Sequence, residues 1–185
     1  VTSDDIAGMG VGGLLMEIAA RPQPRDAAAS HKEPVDVHAI VLAAGRSSRM
    51  GGPNKLLARF DGVPLIRRIA QAATEARTAS VTVVTGHQSD RVREALDGLP
   101  VRSTYNAEFA SGLAGSLKAG IDALPSSASG ALVMLGDMPE VGAADIDRLM
   151  AAFVASGGTA IVRATHEGKR GNPVILPRST FAQIA

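Results

Sequence analysis

The sequence predicts an α/β domain of three layers, with helices on both faces of a mostly parallel sheet, and three observations predict it. From residue 38 onward apolar runs and amphipathic stretches take turns. The apolar runs are short, as buried strands are. Glycine, asparagine and aspartate cluster where the runs end, as turns and ligand loops require. Strands alternating with helices of this length imply right-handed crossovers between parallel strands.

The elements follow in order. HAIVLAAG (38–45) reads as a buried strand running into a loop, and PLIRRIAQAATEA (64–76) as a helix with Leu65, Ile66, Ile69 and Ala73 on one face. VTVVTG (81–86) is the next strand. SDRVREALDG follows as a helix with Ser89 as N-cap, Val92 and Leu96 inward and Gly98 as its stop. VRSTYN (101–106) is a strand, SGLAGSLKAGIDAL (111–124) a helix and ALVMLGD (131–137) a strand. AADIDRLMAAFVASGG (143–158) is a helix that turns Ile146, Leu149, Met150 and Phe153 inward. TAIVRAT and PVILPR close the series as strands around the turn EGKRGNP. Residues 1–37 differ: a helical patch, LLMEIAARP, leads into PQPRDAAASHKEP, which reads as a linker. The expected division is an N-terminal extension over 1–37 and a domain over 38–185.

Composition narrows the function. Hydrophobic residues make up 45% of the 185 and charged residues 20%, the balance of a globular chain. AIVLAA and ALVML fall far short of the ~18 residues a membrane span needs, and the N-terminus lacks the cationic start of a signal peptide, so a cytoplasmic protein away from membranes is expected. With no cysteine, thiolate nucleophiles, thiolate metal sites and disulfides are excluded. A net charge of +1, no long basic run, and four Phe, one Tyr and no Trp argue against a nucleic-acid partner.

Gly8, Gly10 and Gly13 in GMGVGG satisfy the G-x-G-x-x-G pattern of dinucleotide sites. The context fails, because TSDDIA is too short and polar to be the buried strand such a site needs. A turn before a short docking helix is the ordinary reading.

LAAGRSSRMGGPNK (42–55) carries the chemistry. It adds little to a core and costs chain entropy to order, so a bound anion is expected to hold it. Gly45, Gly51 and Gly52 let successive N–H groups converge on phosphate oxygens, while Arg46, Arg49 and Lys55 surround that nest with positive charge. This is not a Walker A loop: Lys55 follows Pro53-Asn54, and Leu56 stands where magnesium would need a hydroxyl. In mainly parallel sheets ligands sit at the carboxyl ends of strands. The loop, Thr85-Gly86, Asn106 and Gly136-Asp137 all fall there. Asp137 places a carboxylate at a strand tip, a hard ligand suited to magnesium, with a turn or N-cap aspartate as the ordinary alternative.

L-A-A-G-x-S-x-R-M-G with a following lysine resembles the signature of nucleotidyltransferases of the molybdenum cofactor type, and LAAG is more similar to their cytidylyltransferase branch than to the guanylyltransferase branch with its LAGG. VTGH (84–87), YNAEFASGLAGSLKAG (105–120), LGDMP (135–139) and GNPVIL (171–176) agree in order and spacing, so the likeness covers 38 to about 181. The resemblance implies a Rossmann-like, glycosyltransferase-A-like nucleotidyltransferase fold. It implies a magnesium-dependent enzyme that moves CMP from CTP to the phosphate of molybdopterin and releases pyrophosphate. Leu42, Ala43, Ala44, Gly45, Arg46, Ser47 and Ser48 would bind nucleotide, with residues 43–49 wrapping the triphosphate and touching the base. Lys55 would contact the α-phosphate, with Arg49 beside it, and Asp137 would hold Mg2+. Thr85, Gly86, Asn106, Gly112 and Ser116 would complete the nucleotide site, although an Asx turn explains Asn106 and Ser116 equally well. His87 reads as a loop histidine.

Two departures stand out. Gly171, Asn172 and Pro173 occupy the acceptor side, where the cytidylyltransferases usually carry G-H-P, so Asn172 leaves the acceptor open. The chain stops at RSTFAQIA, before the family's C-terminal G-D-x-G-x-R segment, and is therefore expected to lack that part of its site. TSDDIA and LLMEIAARP are similar to the tail of chaperones that insert molybdenum cofactor, which implies a molybdoenzyme or such a chaperone as partner. The alternatives are a GTP-using or sugar- or polyol-phosphate nucleotidyltransferase, a non-catalytic nucleotide-binding or cofactor-chaperone module, and a reductase, which rests on GMGVGG alone.

Overall fold

The structure, a computed structural model, describes residues 35–45 and 54–184, together with the backbone of residues 15–19. Among the described residues nine strands and four α-helices follow one another: β1 Leu15–Ala19, β2 Val37–Ala43, β3 Arg59–Phe60, β4 Val63–Pro64, α1 Leu65–Glu75, β5 Ser80–Thr85, α2 Ser89–Ala95, β6 Arg102–Tyr105, α3 Leu113–Asp122, β7 Gly130–Leu135, α4 Ala143–Ala155, β8 Ile161–His166 and β9 Lys169–Pro177. Seven strands form one sheet in the order β1-β8-β9-β7-β2-β5-β6. β7, β2, β5 and β6 pair in parallel, and β9 pairs antiparallel with both β7 and β8. Five of the seven strands (β2, β5, β6, β7, β8) thus point the same way, which is the mostly parallel sheet expected.

The three layers come from the period of two along the central strand. Val37, Ala39, Val41 and Ala43 of β2 face a core with Ile66 and Ile69 of α1, Val92 of α2, and Ile146, Leu149 and Phe153 of α4. Ile40, Leu42 and Ala44 face the other core, closed by Ile121 and Leu117 of α3, by Phe181 of a 3₁₀ turn, Arg178–Gln183, and by Ile184 just after it. β2 is buried along its whole length because a helix layer covers each of its faces.

Four local expectations change. Residues 15–19 form a strand antiparallel to β8, from Leu15 opposite Thr165 to Ala19 opposite Ile161, where a helix was expected. A helix this short has little intrinsic stability, whereas the open edge of β8 offers a row of backbone partners. Ser89 opens α2 rather than capping it: the cap position is Gln88, in a left-handed conformation, and the Ser89 hydroxyl donates to Thr85 Oγ1 at 3.0 Å. The long turn expected over 167–173 is two residues, Glu167 and Gly168, both at positive φ, so β9 begins at Lys169 and takes in Gly171, Asn172 and Pro173. Positive φ at both positions matches the right-handed twist of a tight hairpin. The β3–β4 hairpin, unmarked by any alternation in the sequence, precedes α1. The GMGVGG stretch lies outside the described residues.

Candidate active site

β2, β5 and β7 end level with one another. Ala43 pairs with Thr85, and Leu42 with Leu135, so the segments that follow all leave the same rim of the sheet. Backbone bonds tie them there: His87 N–H donates to Ala44 O at 3.3 Å, and Gly136 N–H to Leu42 O at 3.0 Å. The packing leaves no space for side chains. A Cβ on Gly86 would lie 2.4 Å from Phe109 Cβ and 2.9 Å from Ala44 Cβ, and one on Gly136 would lie 3.0 Å from Leu56 Cδ2. Glycine at these positions is what lets the loops converge.

Of the expected phosphate loop, Leu42, Ala43 and Ala44 are buried at the end of β2, and Gly45 is exposed at the point where the chain leaves it. Arg46, Ser47, Ser48 and Arg49 lie outside the described residues, as do Gly51 and Gly52. The chain re-enters at Asn54, which is 4% exposed and accepts a hydrogen bond from Leu56 N–H at 3.1 Å. That bond caps the 3₁₀ turn Lys55–Leu57, whose Leu56 is buried, and so directs Lys55 outward. Lys55 Nζ then meets Asp137 Oδ2 at 3.1 Å, with 52% and 39% of the two side chains exposed. Two of the three residues on which transfer chemistry was expected to rest, Lys55 and Asp137, 82 positions apart, are in contact.

On the β5–β6 side, Asn106 and Ser116 are both buried and hydrogen-bonded to each other, Nδ2 to Oγ, at 3.1 Å. Asn106 Oδ1 also accepts Glu108 N–H at 3.0 Å, and Asn106 N–H donates to Thr85 O at 2.9 Å. This is the Asx turn that the sequence allowed, and it fixes the start of α3, preceded by the exposed Gly112. Thr85 is 1% exposed and donates its hydroxyl to Thr104 O at 3.2 Å. Thr85, Asn106 and Ser116 therefore shape the site through the backbone they hold. Phe109 lies against Gly86 and packs on the core cluster that includes Ala44, with the His87 ring 6.3 Å from its own.

Gly171, Asn172 and Pro173 reach the same rim by topology. β9 runs against β7 with Val174 opposite Val133, so residues 171–173 lie beyond that pair, toward the end of β7 from which Asp137 emerges. Sequence reasoning did not single out Asn54, whose signal was a cap-forming residue directly before an apolar pair. It also missed Tyr105 and Leu113, exposed large side chains at the end of β6 and the start of α3.

A divalent cation fits this donor set in one way only. Among the described residues no group of three or more His, Cys, Asp or Glu could hold a metal. Asp137 offers one accessible hard carboxylate, so a cation here would take most of its ligands from a bound phosphate, as magnesium commonly does.

Known proteins agree with this architecture. A family model described as "MobA-like NTP transferase domain" matches residues 39–185. The bifunctional protein GlmU of Kineococcus radiotolerans is 36% identical over 126 residues, 66% of this chain and 26% of that protein. The chain thus spans about a quarter of the length of such curated relatives. Among solved structures, Rv0371c from Mycobacterium tuberculosis superposes with a TM-score of 0.70 at 24% identity, covering 81% of this chain and 75% of that one. A nucleotidyl transferase from Methanothermobacter superposes with a TM-score of 0.64 at 25% identity, covering 80% and 74%. Among the described residues no helix is long and apolar enough to cross a membrane.

Proposed function

Because the chain belongs to the MobA-like NTP transferase domain family, we propose that this nucleotidyltransferase moves CMP from CTP to the phosphate of a molybdopterin-type acceptor, with release of pyrophosphate. The observation that carries the reading is the 3.1 Å contact of Lys55 with Asp137 on the rim where the LAAG loop begins. That rim offers one mobile cation and one carboxylate beside a loop suited to phosphate. Choice of CTP rests on LAAG at 42–45, the form similar to the cytidylyltransferase branch.

In this reading an oxygen of the acceptor phosphate attacks the α-phosphorus, and the bond to pyrophosphate breaks. The nucleophile is already an anion, so the protein's work is alignment and charge neutralisation more than proton removal. Lys55 contacts the α-phosphate, and residues 42–49 with Gly86 and Gly112 seat the nucleotide. Asn106, Thr85 and Ser116 hold that seat in shape. Asp137 would hold magnesium, which when bound supplies further positive charge at the phosphates. Gly171, Asn172 and Pro173 border the acceptor side. A molybdoenzyme or cofactor-insertion chaperone is the proposed recipient, on the N-terminal likeness. A different small phosphorylated acceptor is the second reading, favoured by Asn172 where the branch usually carries histidine.

The test has two stages. CTP with magnesium is expected to raise the Tm of the chain more than GTP or ATP does, because a ligand bound only by the folded state stabilises it; equal shifts would remove the CTP assignment. Single-turnover pyrophosphate release with molybdopterin should then fall on the order of a hundred- to a thousandfold in Lys55→Ala while CTP affinity changes little, as for a charge that acts in the transition state. Proportionate loss of affinity and rate would make Lys55 an anchor only. Absence of pyrophosphate release from the wild type would favour a binding module.

A further inference from the structure

Resting on that reading of Asp137, we infer that Lys55 is a gate on the cation position: in the free protein its ammonium occupies the carboxylate oxygen a divalent cation needs, and nucleotide opens the position by drawing Lys55 away. Three observations support the gate. Nζ lies 3.1 Å from Oδ2, so a cation bound at that oxygen would face a like charge a few ångströms off. Among the described residues no group of three or more His, Cys, Asp or Glu could hold a metal, so Asp137 competes for a cation without a preformed cluster of ligands behind it. Both side chains are also about half exposed, 52% and 39%, so the pair is weak enough to open.

A triphosphate reverses each of these conditions. It presents Lys55 with several anionic oxygens in place of one carboxylate, and an ammonium on a flexible stem can follow the larger charge. The freed carboxylate meets a cation that already carries phosphate ligands, the arrangement magnesium prefers. Nucleotide and metal therefore bind cooperatively, each raising the affinity for the other by the same factor. Free metal meets a weaker site than it would without the ammonium.

Titration with Mn2+, followed by the electron paramagnetic resonance of the free ion, reads the gate directly and without turnover. In the absence of nucleotide, Lys55→Met is expected to bind Mn2+ about two- to fivefold more tightly than the wild type, the range an exposed ion pair can withhold. Lys55→Arg keeps the charge and should match the wild type, and Asp137→Asn should bind more weakly than any of them. With a non-hydrolysable CTP analogue bound, the advantage of Lys55→Met should disappear. Unchanged Mn2+ affinity in Lys55→Met would overturn the gate, while weakened nucleotide-dependent binding in Asp137→Asn would leave the metal reading standing. If Asp137→Asn matched the wild type with the analogue present, the metal reading and the gate would fail together. Lys55→Gln repeats the measurement if Lys55→Met melts early.

Discussion

His38 is buried in β2 with Nδ1 2.8 Å from Ser80 Oγ and no hydrogen-bond partner for Nε2 among the described residues. Burial lowers its pKa below the ordinary histidine value; nearby Asp36 works against that shift and Arg102 adds to it. The folded state therefore takes up this proton less readily than the unfolded state. Its contribution to stability is complete above the ordinary value, near ~6.5, and is lost as pH falls through that value toward the folded one. The urea midpoint of the wild type should drop more steeply between pH 7.5 and 5 than that of His38→Gln, and parallel curves would show that His38 charges freely in the fold. None of this was legible in the sequence, where His38 is only the first residue of an apolar run and Ser80 stands 42 positions away. The catalytic candidates differ, since Lys55 and Asp137 could each be picked out by strand-tip position and motif. Their contact could not, because it depends on β7 lying beside β2.

Elements meet at the site through side chains too small to attract notice. Gly86 follows the end of β5, and Phe109 begins the 3₁₀ turn Phe109–Ser111 ahead of α3, yet a Cβ on the glycine would lie 2.4 Å from that of the phenylalanine. Gly86→Ala should cost about 1 to 3 kcal/mol of stability by overpacking. In a Phe109→Gly background, which removes both that Cβ and the Cγ at 2.7 Å, the same change should cost less, with a coupling of about 0.5 to 3 kcal/mol in denaturant unfolding. Strictly additive effects would mean that the turn shifts away at no cost. At this scale the sequence was a good guide to α1, α3, α4 and the parallel strands, whose periodicities run long enough to decide between helix and strand. It misled at residues 15–19, where five residues fit both patterns and a distant strand edge decided between them. It misled again at 167–173, because Gly171 and Pro173 resemble turn residues but sit at the end of β9 beyond its pairing with β7.

The whole molecule is a sheet whose two halves differ: parallel from β7 to β6, and antiparallel from β7 through β9 and β8 to β1. β1 covers the edge that β8 would otherwise expose, so removal of residues 1–19 should speed hydrogen exchange at the β8 amides that face β1 while those facing β9 keep their protection. Uniform protection along β8 in the shortened chain would mean that β1 adds nothing to that edge. The sequence by itself determined the class of fold and proposed a place for the chemistry. Alternate residues of VHAIVLA must face opposite sides of a strand, so an apolar run of this kind calls for a helix layer on each face, and LAAG at its end is where an anion was expected. Only the tertiary structure decided the strand order, the placing of residues 171–173 beside the end of β7, the cover over β8 and the ion pair of Lys55 with Asp137. The physical reason is range. Periodicity, caps and turns are settled among residues a few positions apart, whereas strand pairing and side-chain contact across a rim are settled by which distant segments bury one another, and no local pattern records that choice.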